Sequence, residues 1–332
     1  MSTNPTVLSR LSTVAPRIEY LPLEPGRPLP ADVLFAVEFG ERETPVRPRC
    51  ARVRLEPLAG AGLTEVWYAN GTVHTGFNGQ IRYAADDHHL AAAIEVDERE
   101  HGGLAAAAKY VYSCIAKFQA TSRYRHLQRI WNYLDHVNQG AGDDERYRVF
   151  CSGRAEGLKV MPLERYPAAT AIGRRDGSHM LQVYWLAGRE PGMALENPRQ
   201  LAAYQYPRQY GPTPPSFSRA MLVAPDLLMI SGTASIVGHA SRHAGSVQRQ
   251  MSEIFSNLDS LLTRAHSHAP ALPVRFGGNT LIKAYLRDRA HLPFVEQQLR
   301  ERLPPGTPFL VLLGDVCRAD LLLELDCLHA GE

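Results

Sequence analysis

A carboxyl set in a leucine-rich run is the first group in this chain whose surroundings suggest chemistry. The segment LLLELDC at 321–327 alternates so that Leu321, Leu323, Leu325 and Cys327 share one strand face and Leu322, Glu324 and Asp326 the other. On a central strand the Glu324 carboxyl is desolvated, which disfavours its charged form and leaves it a proton to give near neutral pH. On an edge strand it is a solvated glutamate, and the residues alone leave both readings open. In NTLIKAYLRD at 279–288 the same alternation separates Ile282, Ala284 and Leu286 from Lys283, Tyr285 and Arg287. Two cations and a phenol on one face suit a ligand that carries carboxylates, and a solvated sheet face is the alternative.

Further cations and phenols gather in two places. YQYPRQYGPTPP and its continuation hold Tyr206, Arg208, Tyr210 and Arg219, and FCSGRAEG holds Arg154 with Arg148 six residues before it. Cys317 follows a glycine turn and precedes Arg318, whose charge favours a thiolate; a structural thiol is the alternative. Gly-x-Ser-x-Gly, P-loop and dinucleotide glycine patterns do not occur, and HASRH at 239–243 has two histidines at helical spacing without the acid of a zinc protease motif. The five cysteines (50, 114, 151, 317 and 327) form no CxxC pair, so neither a zinc site nor any other metal is expected.

The elements that must position these groups are legible from periodicity. Prolines in the first 60 residues argue for short strands such as 32–39. The stripe Leu104, Ala107, Ala108, Val111, Tyr112, Ile115, Phe118 predicts a helix over 102–119, and helices are also expected at 143–158, 246–264 and 292–302. Strands are expected at 130–134, 168–172, 180–186, 227–231, 280–287, 308–313 and 320–327. The halves share an order: helix, strand with a central tyrosine (RIWNYL, LIKAYLR), helix, P-x-x-x-x-x-G, closing strand. In the first half that closing strand, HMLQVYWL, offers Gln182 and no acid. The proline- and tyrosine-rich stretch 197–215 is the expected junction, dividing the chain into 1–196 and 197–332.

Composition narrows the class. The 332 residues carry 36 Lys plus Arg against 34 Asp plus Glu, so a net charge of +2 removes the bulk argument for nucleic acid or an anionic membrane surface. A small acid remains possible through a few local cations. No run approaches the ~20 apolar residues that span a bilayer, and the first twenty residues hold no apolar leader core. A soluble, cytoplasmic protein with reduced thiols is expected.

Two resemblances carry these residues further. YGPTPPSFSRA, LMISGTASIVG, LIKAYLRD and the terminal ELDC resemble the RidA (YjgF) superfamily over about residues 206–328. With RIWNYLDHVNQGAGDDERYRVFCSGRAEG and GDVCRADLLLELD added, the whole chain resembles the chorismatase family, in which a degenerate and a genuine RidA-like domain are joined. The resemblance implies an α+β fold of two such domains, each a mixed sheet packed on helices, with the N-terminal one degenerate and the acid in the second. It implies release of pyruvate from chorismate without metal or organic cofactor, Glu324 protonating the enolpyruvyl methylene. It implies substrate contacts at Arg154, Tyr206, Arg219 and Lys283, with Tyr285 and Arg287 beside them. Cys317, seven residues before Glu324, matches the branch that makes 3-hydroxybenzoate. At the second position separating the branches stand the small residues Gly232 and Ala234, and Ala234 there implies the hydrolytic branch, which yields a dihydroxycyclohexadienoate. A third branch yields 3- and 4-hydroxybenzoate together, and a catalytically silent metabolite-binding protein is the reading from another class. Free RidA domains form trimers, so a chain that holds two of them implies a monomer with part of that interface inside.

Overall fold

The computed structural model describes residues 11–12, 14–23, 28–40, 47–160, 163 and 165–331. Residues 1–10 and 13, part of the stretch in which no leader core is expected, lie outside that set. The proline-punctuated start forms short strands Ile18–Pro22 (β1), Val33–Phe39 (β2), Cys50–Val53 (β3), Pro57–Ala59 (β4) and Leu63–Tyr68 (β5). Four of them pair in the order β1-β5-β2-β3. Pro30 and Pro48 precede strands and Pro22 ends one, where a missing N–H costs no ladder bond.

Next come His74–Asn78 (β6), Ile81–Ala85 (β7) and His89–Asp97 (β8), helix Leu104–Thr121 (α1), His126–Asp135 (β9), helix Arg146–Leu158 (α2), Ala168–Arg174 (β10) and Met180–Gly188 (β11). They form a sheet of order β10-β9-β11-β8-β7-β6, parallel only between β9 and β10. The remaining elements are Met193–Leu195 (β12), Ala220–Ala224 (β13), Leu227–Ala234 (β14), a ribbon of Ile236–Val237 (β15) and Ala240–Ser241 (β16), helix Val247–His268 (α3), Thr280–Leu286 (β17), helix Leu292–Arg302 (α4), Phe309–Leu313 (β18) and Leu323–Ala330 (β19). Their main sheet runs β12-β13-β14-β19-β17-β18-β4, parallel only between β17 and β18. Strand for strand it repeats the first sheet, with β4 added at one edge. Both β4 and β12 come from residues before 197.

Each sheet has a helix face. The stripe of α1, from Leu104 to Ile115, packs with Phe150 of α2 on Ile94, Ile130 and Trp185. Gly153 and Gly157 let α2 lie directly on α1, since a Cβ at either would stand 2.2 Å from the Ala105 carbonyl oxygen or 2.6 Å from that of Lys109. On the second sheet, Met251, Ile254 and Leu258 of α3 and Val295 of α4 cover Ile282, Ala284 and Leu325. The opposite faces of both sheets meet over a shared core with Phe35 and Trp67 of the N-terminal sheet.

Boundaries depart from the sequence reading where side chains capture the backbone. The last strand starts at Leu323 rather than 320, because Arg287 binds the Leu321 carbonyl at 2.8 Å and Gln250 holds the Leu322 N–H at 2.8 Å. The helix expected from 143 starts at Arg146 after a 3-10 turn at Gly142–Asp144. HASRH is no helix: it lies at the β15–β16 ribbon, with His239 3.2 Å from the Tyr210 hydroxyl and His243 3.1 Å from Glu253. Strands β5 to β8, β12, β13, β15 and β16 lie outside the sequence expectation; alanine-rich runs such as HLAAAIEVD show little alternation.

Candidate active site

Glu324 occupies the middle of the second sheet, on β19 between β14 and β17. Leu323, Leu325 and Cys327 point to the helix face, so Glu324 and Asp326 point into the space between the sheets. Glu324 is 5% exposed. Burial first, and then the Asp326 charge, push its carboxyl up to about 8, while Arg129 and Arg219 pull in the other direction. The β14–β19 register shifts between Ile230 and Thr233, a bulge that brings Gly232 against the acid. A Cβ on Gly232 would stand 1.9 Å from Glu324 Oε1, so the glycine makes room for the carboxyl.

In front of Glu324 lies a cavity with about 780 Å³ of empty space, its open mouth included. Its walls come from α2 and the turn before it, β10, the 206–219 strap, the β14 bulge and the 317–318 loop. Four arginines line it: Arg148, Arg154, Arg219 and Arg318. Arg148 is engaged by Glu145 at 3.1 Å, and Arg318 by the His239 carbonyl at 2.9 Å and Ser241 at 3.1 Å. Arg219 binds the Leu201 carbonyl and the Tyr206 hydroxyl at 2.8 and 2.7 Å, leaving Nε without a partner. Arg154 is 3% exposed, stacks over Tyr112 at 4.9 Å, and has neither Nε nor Nη2 bonded. A buried guanidinium with free N–H groups is costly unless an anion arrives to complete it.

Of the residues singled out from sequence, Glu324, Cys317, Arg154, Tyr206, Arg219, Gly232 and Ala234 meet at this cavity. Cys317 is there as a neutral thiol: burial and then the Glu324 charge push it up to about 12 and outweigh Arg318, which decides between the two readings left open by the sequence. Lys283, Tyr285 and Arg287 do not reach the cavity. Lys283 is 2% exposed and lies 2.7 Å from Glu65 and 3.0 Å from the Tyr184 hydroxyl. Tyr285 donates to Asp326 at 2.9 Å and meets the Tyr133 hydroxyl at 3.1 Å. Arg287 pairs with Asp315 at 2.5 Å and binds the Val316 and Arg318 carbonyls at 3.0 Å, so it anchors the loop that bears Cys317. Alternation assigned the face of Lys283 and Tyr285 correctly but not their depth, because Glu65 arrives from the N-terminal sheet. Thr170 and Tyr147, which also line the cavity, went unmarked; a lone threonine in PAATAIG carries no local signal.

Comparisons agree with this geometry. The family model described as chorismatase FkbO/Hyg5-like, N-terminal, matches residues 65–187. A 3-hydroxybenzoate synthase of Streptomyces hygroscopicus is 34% identical over 284 residues, covering 82% of this chain and 81% of that protein. A chorismatase of Streptomyces rapamycinicus is 33% identical over 273 residues, covering 79% and 80%. The crystal structure of a chorismatase superimposes with a TM-score of 0.83 at 30% identity, over 96% of this chain and 100% of that one.

Proposed function

The chain belongs to the chorismatase family, and from that premise we propose that it converts chorismate to 3-hydroxybenzoate and pyruvate. The observation that carries the proposal is a buried carboxyl raised to about 8 that faces a cavity walled by arginines. At neutral pH Glu324 holds a proton, which it gives to the enolpyruvyl methylene, making an oxocarbenium-like centre. Arg154 and Arg219, with unbonded N–H groups, receive the two carboxylates of chorismate, and Tyr206 braces Arg219. The neighbouring 4-hydroxyl displaces the ether oxygen, pyruvate leaves, and the hydroxyl proton returns to Glu324. The arene-oxide-like intermediate opens as a ring proton passes to oxygen. Substrate and the two products hold the same atoms, so no water is consumed.

Residues 1–196 supply walls, among them Arg154, and residues 197–332 supply the acid. The lining comes from both sheets of one chain, which supports a monomer as the working unit. All five cysteines are free, in keeping with a cytoplasmic location. Among the described residues no helix is long and apolar enough to cross a membrane.

The neutral Cys317 thiol in the cavity wall supports the 3-hydroxybenzoate branch, and Ala234 in the same wall favours the hydrolytic one. Incubating the purified protein with chorismate, following pyruvate and separating the aromatic products decides between them. One 3-hydroxybenzoate per pyruvate is expected. A dihydroxycyclohexadienoate, or 3- and 4-hydroxybenzoate together, moves the protein to another branch. Tight chorismate binding without pyruvate release makes it a binding protein and overturns the proposal.

A further inference from the structure

Glu324 and Asp326 stand two residues apart on one strand face, both buried, yet their surroundings differ sharply. Asp326 Oδ2 accepts from the Trp131 indole at 3.0 Å, the Tyr285 hydroxyl at 2.9 Å and the Thr170 hydroxyl at 3.1 Å, with Arg129 at 3.3 Å. Among the described residues no side chain or backbone group is bonded to Glu324, although Gly232 lies so near that a Cβ there would stand 1.9 Å from Oε1. The N–H of Gly232, the residue packed against the acid, is committed elsewhere: it bonds Thr170 Oγ1 at 3.0 Å.

The valence of that hydroxyl is complete. A threonine oxygen has one proton and two lone pairs. Its proton goes to Asp326, one lone pair takes Arg129 Nη2 at 2.6 Å, and the other takes the Gly232 N–H. Thr170 sits on β10 of the first sheet, so a side chain of one half fixes the bulge beside the acid of the other. We propose that Thr170 is a positioning residue whose hydroxyl holds the Gly232 N–H away from Glu324, leaving the acid no donor that would stabilise its carboxylate.

The inference rests on Glu324 being the acid and adds what keeps it one. The groups that face Glu324 are Asp326 on its own strand, Arg129 on β9, Arg219 at the foot of β13, Cys317 in the loop and Tyr147 on α2. Tyr285, opposite it on β17, is turned to Asp326. Thr170→Val keeps the shape and removes the acceptor. The freed N–H can then turn to Glu324, and a bond to the charged form favours that form.

The test is an infrared titration of the Glu324 carboxyl band, assigned by its loss in Glu324→Gln, beside the pH profile of kcat/KM for chorismate. In Thr170→Val the band midpoint and the alkaline limb of the profile should both fall by about one pH unit or more; in Thr170→Ser, which restores the oxygen, both should return to the wild-type position. A midpoint unmoved in Thr170→Val, or moved equally in Thr170→Ser, overturns the proposal. Should Thr170→Val not fold, Thr170→Ala removes the same acceptor and is read in the same way. The band reports on Glu324 with or without turnover, so a midpoint that moves in a protein releasing no pyruvate supports the role of Thr170 while the assigned reaction fails.

Discussion

The first sheet and the first six strands of the second agree in order and direction, and differ in what they place at matching positions. Tyr133 stands opposite Gln182 in the first and Tyr285 opposite Glu324 in the second. One step along, Trp131 faces Tyr184 where Lys283 faces Asp326. The two tyrosine hydroxyls meet at 3.1 Å, so the repeats face each other across the shared core. In the first sheet β8 and β11 pair without a shift, and the Gln182 amide donates to the Arg52 carbonyl of the N-terminal sheet, which closes the position. In the second a bulge opens beside Glu324, and a cavity stands before it. The fold is therefore neutral towards chemistry. On the proposed reading, a carboxyl, a bulge and a withheld donor separate a catalytic copy from a structural one.

Glu324→Gln makes the two positions alike and is expected to have the largest effect. Pyruvate release should fall by several orders of magnitude while chorismate still binds in calorimetry; near wild-type turnover would exclude Glu324 as the acid. Lys283→Met attacks the opposite kind of difference, a charge with a purely structural partner. Removing it leaves the buried Glu65 with the Trp67 indole at 2.8 Å but no cation, which should cost about 3–5 kcal/mol in urea unfolding, and Lys283→Met with Glu65→Leu should recover most of that. If the single variant loses nothing, the pair is not holding the sheets together.

A third prediction concerns what an acid costs the fold. A carboxyl raised from 4.5 to about 8 by folding keeps its proton where the unfolded chain has released it, so it lowers stability as pH rises through that window. At roughly 1.4 kcal/mol per pH unit, Glu324→Gln should exceed wild type by a few kcal/mol at pH 9, the gap closing towards pH 5. Equal stability at both ends would mean that the carboxyl is not raised. Turnover by the wild type should decline on the alkaline side as Glu324 loses its proton. The smallest effect is expected of Gly232→Ala. The added methyl meets only the end of a flexible side chain, so unfolding should change by less than about 1 kcal/mol, while kcat drops about tenfold as the carboxyl turns aside. An unchanged kcat would show that the bulge does not aim the acid.

Much of this was legible before folding. Alternation in LLLELDC set Glu324 and Asp326 on one face, and the tyrosine-centred strands and P-x-x-x-x-x-G punctuation announced a repeat that the two sheets share. The roles of Lys283, Tyr285 and Thr170 were not legible. Their partners arrive from far along the chain, Glu65 to Lys283 across 218 residues, Tyr133 to Tyr285 across 152 and Asp326 to Thr170 across 156. For Cys317 the sequence leaves a thiolate and a structural thiol both open: its neighbour Arg318 is local, but the burial that governs the thiol comes from packing.

The sequence by itself determined which residues share a strand or helix face, where the chain turns, and that an acid stands in one repeat and an amide in the other. These follow from bond geometry and side-chain period, which act over a few residues. Only the tertiary structure decided that β19 is central rather than at an edge, that Gly232 meets Glu324 with its N–H turned to Thr170, and that Arg154 is left with free N–H groups in a cavity. Desolvation and hydrogen-bond saturation depend on what packs around a group, and those neighbours come from strands that only folding brings together.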